Sequence, residues 1–120
     1  MSDYQMGAAE SRFADMIWER EPISSTELSK LAEKVLNWKK STTYTVLRRL
    51  CEKGIFQNRD GQVTHILTRG EFYALRSESF VKENFEGSLP AFFAAFTSRK
   101  KLSREEADEL RRMIADYPEE

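Results

Sequence analysis

The segment NWKKSTTYTVLRRLCEKG, from Asn37 to Gly54, is the stretch of sequence that decides the fold. Four of its side chains recur at i, i+3, i+4 and i+7, the spacing of one helix face: Thr43, Val46, Leu47 and Leu50. The pattern predicts a helix that buries these four side chains. Gly54 is a suitable end for it, because glycine readily adopts the left-handed conformation that terminates helices.

Charge is concentrated around this segment. The 120-residue chain carries 19 basic and 20 acidic side chains and has a net charge of −1. Residues 34–60, however, hold seven basic and two acidic side chains, a net +5, whereas residues 1–33 hold three basic and seven acidic, a net −4. A local basic patch attracts polyanions even on a neutral protein. The pattern favours nucleic acid as a partner, and a merely solvated helix is the alternative.

The polar side of the predicted helix has the chemistry that DNA contacts require. Basic side chains neutralise phosphates, arginine can pair with guanine, and a threonine hydroxyl can bond a base or a phosphate. We expect Arg48 to contact a phosphate or a base edge and Arg49 to contact a phosphate. The predicted DNA-binding residues of this helix are Lys40, Ser41, Thr42, Tyr44, Thr45, Arg48, Arg49 and Lys53.

Two amphipathic helices precede the segment. The first, AAESRFADMIWER, is expected to bury Ala9, Phe13, Met16 and Ile17. The second follows a capping pattern of Ser24 and Glu27. Its expected buried face consists of Leu28, Leu31, Ala32 and Val35.

Two short β-favouring runs follow the segment on either side of Asp60-Gly61, a dipeptide that accepts the positive φ angles of a tight hairpin turn. The order helix, helix, basic helix, hairpin predicts a winged helix-turn-helix DNA-binding domain over residues 1–68. In such domains the third helix enters the major groove and the hairpin, or wing, reaches the adjoining backbone or minor groove. Arg59 and Gln62 flank the turn and are predicted to contact the DNA backbone.

The sequence of residues 69–120 predicts three further helices. Ser88 and Ser103 are placed as the N-caps of the second and the third. Each phenylalanine left in water forgoes roughly 1.5–3 kcal/mol relative to burial, and a bundle this small has little interior. We therefore predict a dimerisation region, with folding back onto the winged helix as the alternative. The predicted dimerisation residues are Phe80, Leu89, Phe92, Phe93, Phe96, Leu110, Met113 and Ile114.

The remaining residue types argue against other classes of protein. A single cysteine, Cys51, and a single histidine, His65, cannot assemble a Cys/His metal cluster, and no phosphate-binding loop or catalytic constellation is evident. We expect no cofactor, no enzymatic activity and no membrane insertion, and a cytoplasmic protein. Cys51 is interpreted as a packing thiol, with a redox switch as the alternative, and His65 as a strand residue.

Several of these features together resemble the BlaI/MecI family of penicillinase and methicillin-resistance repressors. They are the order of elements, the segment 37–54 followed by an Asp-Gly hairpin, the FEGSL turn and the KLSREEADEL helix. MIWER and GSLPAFFAAF are supporting matches, and the likeness spans nearly the whole chain. The most specific matching positions are Trp38, Thr42, Thr45, Arg49 and Leu50.

The resemblance implies a homodimeric repressor on a dyad-symmetric double-stranded operator. In such proteins a membrane-bound sensor protease leads to cleavage in the dimerisation region, at the bond that corresponds here to Ala95-Phe96. The family pattern has asparagine before that phenylalanine, and this chain has Ala95. The usual Ser-Pro-Lys start of the recognition helix is replaced by Lys39-Lys40-Ser41, so the resemblance moves the expected cap to Ser41.

The sequence thus predicts a mainly α protein with a small β-hairpin, in which a winged helix-turn-helix domain precedes a three-helix dimerisation region. The predicted function is that of a homodimeric DNA-binding repressor. A winged-helix module that binds another protein through the carboxy-terminal aromatic residues remains the alternative.

Overall fold

The computed structural model describes residues 4–119, which form six helices and three strands. The mainly α prediction is confirmed. The helices are α1 (Ala8–Arg20), α2 (Ser25–Leu36), α3 (Lys40–Glu52), α4 (Arg69–Phe85), α5 (Leu89–Thr97) and α6 (Arg104–Asp116). The strands are β1 (Ile23–Ser24), β2 (Phe56–Arg59) and β3 (Gln62–His65).

The three strands form one antiparallel sheet in the order β1-β3-β2. The predicted hairpin is present, and its turn residues Asp60 and Gly61 have φ angles of 53° and 81°, as a tight turn between two strands requires. The sequence did not reveal β1, whose Ile23 pairs with Val63 of β3. Two residues are too few to show the alternation by which a strand is recognised.

The core of the winged-helix unit lies among α1, α2, α3, the sheet and the start of α4. The four predicted side chains of α3 are all buried. The fully buried large side chains are Phe13, Ile17, Thr43, Leu28, Leu50, Ile55, Phe56, Val63 and Phe72.

The predicted buried faces of the first two helices need correction. Ala9 is exposed in the first turn of α1, and Ala14 is buried instead. In α2, Val35 is 43% exposed, and the buried face is rotated towards Ser29. Both errors have one cause. Periodicity predicts that a helix has an apolar face, whereas the packing of neighbouring elements determines which of its side chains are buried.

Three of the four predicted serine caps are confirmed. The Ser24, Ser88 and Ser103 side chains each accept a hydrogen bond from a backbone N–H of the helix that follows. The predicted cap at Ser41 is wrong, because α3 begins at Lys40 and its N-cap residue is Lys39, which makes no side-chain capping bond. Ser41 is therefore a residue of the first turn.

The chain forms two compact units, one ending at Phe80 and one beginning at Val81. In the first unit the start of α4 is anchored to α1. The Trp18 indole donates a hydrogen bond to the Leu67 carbonyl (3.0 Å), its ring lies 5.5 Å from that of Phe72, and Arg69 pairs with Asp15 at 3.2 Å. The division into domains 1–68 and 69–120 stays a prediction.

A reciprocal cap begins α4. The Thr68 N–H donates to a Glu71 carboxylate oxygen (2.9 Å), and the Glu71 N–H donates to the Thr68 hydroxyl (3.1 Å). The hydrogen bonds from the Thr68 backbone and side chain lower the pKa of Glu71. A lowered pKa contributes stability above the pKa of the unfolded chain, and this contribution is lost as pH falls through the folded value.

We predict that Thr68→Ala raises the pKa of Glu71 partway towards its ordinary value, since the hydroxyl is lost while the backbone donor remains. Amide protons in the first turn of α4 should also exchange faster. NMR titration and hydrogen exchange measure both effects. Thr68→Ser keeps the hydroxyl and is the control. An unchanged Glu71 pKa in Thr68→Ala would contradict the role of this cap.

Candidate nucleic-acid interface

The exposed side of α3 lies directly opposite its buried stripe. Ser41, Thr45 and Arg48 are exposed and follow one another at spacings of four and three residues, so they lie along one line of the helix surface. Thr42 is also exposed, towards one flank of this line. The face thus presents hydroxyl groups and a guanidinium to solvent, the groups that bind phosphate oxygens and base edges.

One flank of this face adjoins the sheet and the start of α2. Tyr44 is half-buried, and its hydroxyl lies 3.4 Å from the Ser25 hydroxyl. The Ser25 N–H donates to the carbonyl of Gly61 in the hairpin turn (2.8 Å). The Lys40 ammonium lies 6.0 Å from the centre of the Tyr44 ring. These contacts bring α3, the start of α2 and the turn of the wing together.

The other flank adjoins the amino-terminal side of α1. Arg49 Nη1 lies 3.4 Å from a carboxylate oxygen of Glu10, and the Lys53 ammonium donates to the Gln5 carbonyl (3.4 Å). Sequence reasoning did not foresee either contact, because the partners are far apart along the chain. Each contact occupies only part of the donor capacity of its cation, which leaves other N–H groups for a phosphate.

The wing presents its two predicted contact residues together. Arg59 and Gln62 are opposite one another in the β2-β3 register and both are exposed. Side chains of directly paired residues point to the same side of a sheet, so these two share one face at the tip of the hairpin. Their role in DNA binding stays a prediction.

A shallow cleft of about 360 Å³ separates α3 from β2. It is lined by Tyr44, Leu47, Arg48, Cys51 and Asn58. Sequence reasoning missed Asn58, although a signal was available. Asn58 is two residues after the buried Phe56, so strand alternation places it on the side of β2 that carries Phe56. Its exposed amide adds a hydrogen-bonding group between helix and wing.

Cys51 and His65 have local partners. Burial of the Cys51 thiol, together with the negative charge of Glu52, raises its pKa, so the thiol stays protonated and poorly reactive. This disfavours the redox-switch alternative. His65 lies in β3, where its ring Nδ1 is 2.6 Å from a Glu21 carboxylate oxygen that also accepts the His65 backbone N–H.

A basic, hydroxyl-bearing third helix beside a β-hairpin defines a winged-helix DNA-binding protein. Comparison with known proteins agrees with this class. The profile of the penicillinase repressor family matches residues 6–116, and the chain belongs to this family of transcriptional repressors.

Individual relatives are similar along almost their whole length. The chain is 27% identical to the penicillinase repressor of Bacillus licheniformis, over 94% of this chain and 91% of the relative. It is 23% identical to the methicillin resistance regulatory protein MecI of Staphylococcus aureus (strain Mu50 / ATCC 700699), over 92% of this chain and 94% of that protein. The MecI protein of Mammaliicoccus sciuri is 22% identical over the same shares. Within residues 4–119, none of the helices has the length and apolar character needed to span a bilayer.

We predict that Arg48→Ala weakens binding to duplex DNA, because it removes a cation from the middle of the exposed face of α3. If Arg48 contacts a phosphate, the slope of log affinity against log salt falls in magnitude by about 0.9. If it contacts a base edge, the variant loses about 1–3 kcal/mol of binding free energy, and only on the preferred sequence. Fluorescence anisotropy at several salt concentrations separates the two. Lys101→Ala removes an exposed cation from the second unit and is the control, and equal behaviour of both variants would contradict the assignment.

Proposed function

We propose that the chain acts as a homodimer that represses transcription by binding a dyad-symmetric operator through α3 and the wing. One observation carries the dimer: within residues 81–119 every side chain is at least partly exposed to solvent. A unit without a buried core of its own gains stability when a second copy covers its apolar side chains.

The apolar side chains of this unit supply the surface for that second copy. Exposed fractions are 63% for Leu89, 45% for Phe93, 51% for Phe96, 61% for Met113 and 75% for Ile114. They belong to α5 and α6, and exposed apolar side chains that are grouped in this way commonly mark a protein–protein contact. Twofold association is the commonest way in which identical chains cover such a surface.

Of the remaining predicted dimerisation residues, Phe92 and Leu110 belong to the same unit, and Phe80 is the last residue of the first unit. The Phe92 ring lies 5.6 Å from that of Phe85 and 6.2 Å from that of Phe96, so aromatic contacts hold α5 to the end of α4. Leu110 is half-buried in α6, and Phe80 in α4 is 47% exposed. A row of rings held in this way presents a defined surface to a partner.

Dimerisation explains how a small basic face can recognise an operator. A single winged helix contacts one half-site, and its affinity rests on a few phosphates and base edges. Joining two such units converts the second contact into an intramolecular event, which multiplies affinity without new contacts. The operator should therefore contain two half-sites about one or two helical turns apart.

Release by a membrane-bound sensor protease completes the proposal, and this step rests on the family resemblance. The Ala95-Phe96 bond lies inside α5, and the Ala95 carbonyl accepts hydrogen bonds from the Ser98 hydroxyl (2.7 Å) and the Ser98 N–H (3.3 Å). These bonds hold the last turn of α5 closed, so a protease that binds extended chain gains access only when this turn unwinds.

We predict that the purified chain protects a dyad-symmetric site upstream of its own gene, and that the double variant Phe93→Asp, Ile114→Asp loses this protection. Two buried carboxylates would oppose association, so the variant should sediment as a monomer and bind the site at least tenfold more weakly. Footprinting and analytical ultracentrifugation measure the two effects.

Ile66→Asp is the control, since it places one carboxylate on an apolar residue that is 51% exposed in the first unit. A wild-type chain with no preference for the upstream region over random DNA would overturn the proposal. A variant that stays dimeric would overturn the assigned surface. Intact function in the double variant Arg48→Ala, Arg49→Ala, combined with loss of function when Phe92 or Phe96 is changed to Ala, would instead indicate a protein-interaction module.

For the release step, we predict that induced cells accumulate a fragment ending at Ala95, because cleavage there divides the apolar surface of α5. Mass spectrometry of the chain recovered from induced and uninduced cells identifies the new terminus. Phe96→Ala, which removes the ring after the bond and keeps a helix-forming residue, should reduce the fragment. An intact chain in derepressed cells would overturn proteolytic release while leaving operator binding in place.

A further inference from the structure

Glu52 is a carboxylate on the face of α3 that is assigned to DNA. It is the last residue of the helix and follows Ser41, Thr45 and Arg48 at spacings of four, three and four residues, so it continues their line on the surface. Its side chain is 71% exposed. Any phosphate bound near Arg48 therefore lies close to a negative charge that no side chain covers.

The stability of α3 gives no reason for an acidic residue at this position. A carboxylate in the last turn faces the negative end of the helix dipole, which disfavours it. Arg48 Nε lies 3.8 Å from Glu52 Oε1, but both side chains are more than 70% exposed. The acidic partner also comes second, the weaker order for such a pair, and exposed pairs contribute little.

Glu10 provides the contrast. It too pairs with a cation of α3, but its side chain is only 14% exposed beside Arg49, so the carboxylate is largely shielded from a ligand. The Glu52 carboxylate is open to solvent on the face itself. Of these two acidic partners, Glu52 is therefore the one positioned to act on bound DNA.

We propose that Glu52 is a specificity-determining residue, an inference that rests on the proposed binding of DNA through α3. Its charge repels phosphates and so weakens binding to DNA of any sequence, because non-specific binding depends almost entirely on phosphate contacts. Its contact with Arg48 directs the guanidinium along the helix face. On the operator, base contacts fix the position of the face, so the Glu52 carboxylate is repelled less there than on random DNA and the ratio of specific to non-specific affinity rises.

Glu52→Gln tests the proposal, since it removes the charge and keeps the shape. We expect tighter binding to a random duplex and a salt slope larger in magnitude by up to about 0.9, equivalent to one phosphate. The ratio of the affinity of the variant to that of the wild type on this duplex should then fall about threefold between 50 and 200 mM salt. Affinity for the upstream region should change less, so the specificity ratio falls. The thermal midpoint should not decrease.

Glu105→Gln is the control, because it removes one exposed carboxylate from α6 in the second unit. The role of Glu52 is overturned if both variants change DNA binding equally, if Glu52→Gln keeps the wild-type specificity ratio, or if it lowers the thermal midpoint, which would reveal a structural role. A wild-type chain without any preference for the upstream region overturns the proposed function itself. The wild-type measurement therefore separates the two failures.

Discussion

Burial of one side of α3 is the constraint on which the rest of the structure depends. Thr43, Val46, Leu47 and Leu50 are enclosed in the core of the first unit, and this fixes the rotation of the helix about its axis. Because side chains at i, i+3 and i+4 share a face, fixing the buried stripe also fixes the opposite one. The groups that we propose to face DNA are therefore oriented by hydrophobic packing.

The two units differ in how they satisfy the need for burial. The first encloses its own core, which contains side chains as large as Phe13, Phe56 and Phe72. The second leaves large apolar side chains of α5 and α6 exposed. This division fits the proposed dimer, since the first unit can remain folded when association through the second is weakened.

Local pairings modify the electrostatics that the sequence suggests. The net +5 of residues 34–60 indicates a basic surface, yet Arg49 faces Glu10, Lys53 faces a backbone carbonyl and Arg48 faces Glu52. Each contact places an oxygen atom beside a cation and so reduces the attraction of that cation for phosphate. The face is thus less strongly basic than the count of charges implies.

The sequence by itself determined the features that depend on neighbouring residues: the buried stripe of α3, the serine caps and the Asp60-Gly61 turn. Each follows from local spacing or from the φ angles that a residue type accepts. Only the tertiary structure decided that Ile23 adds a strand, that Val35 is exposed and that Glu10 pairs with Arg49. These features join distant segments, and their geometry arises from packing that no local pattern encodes.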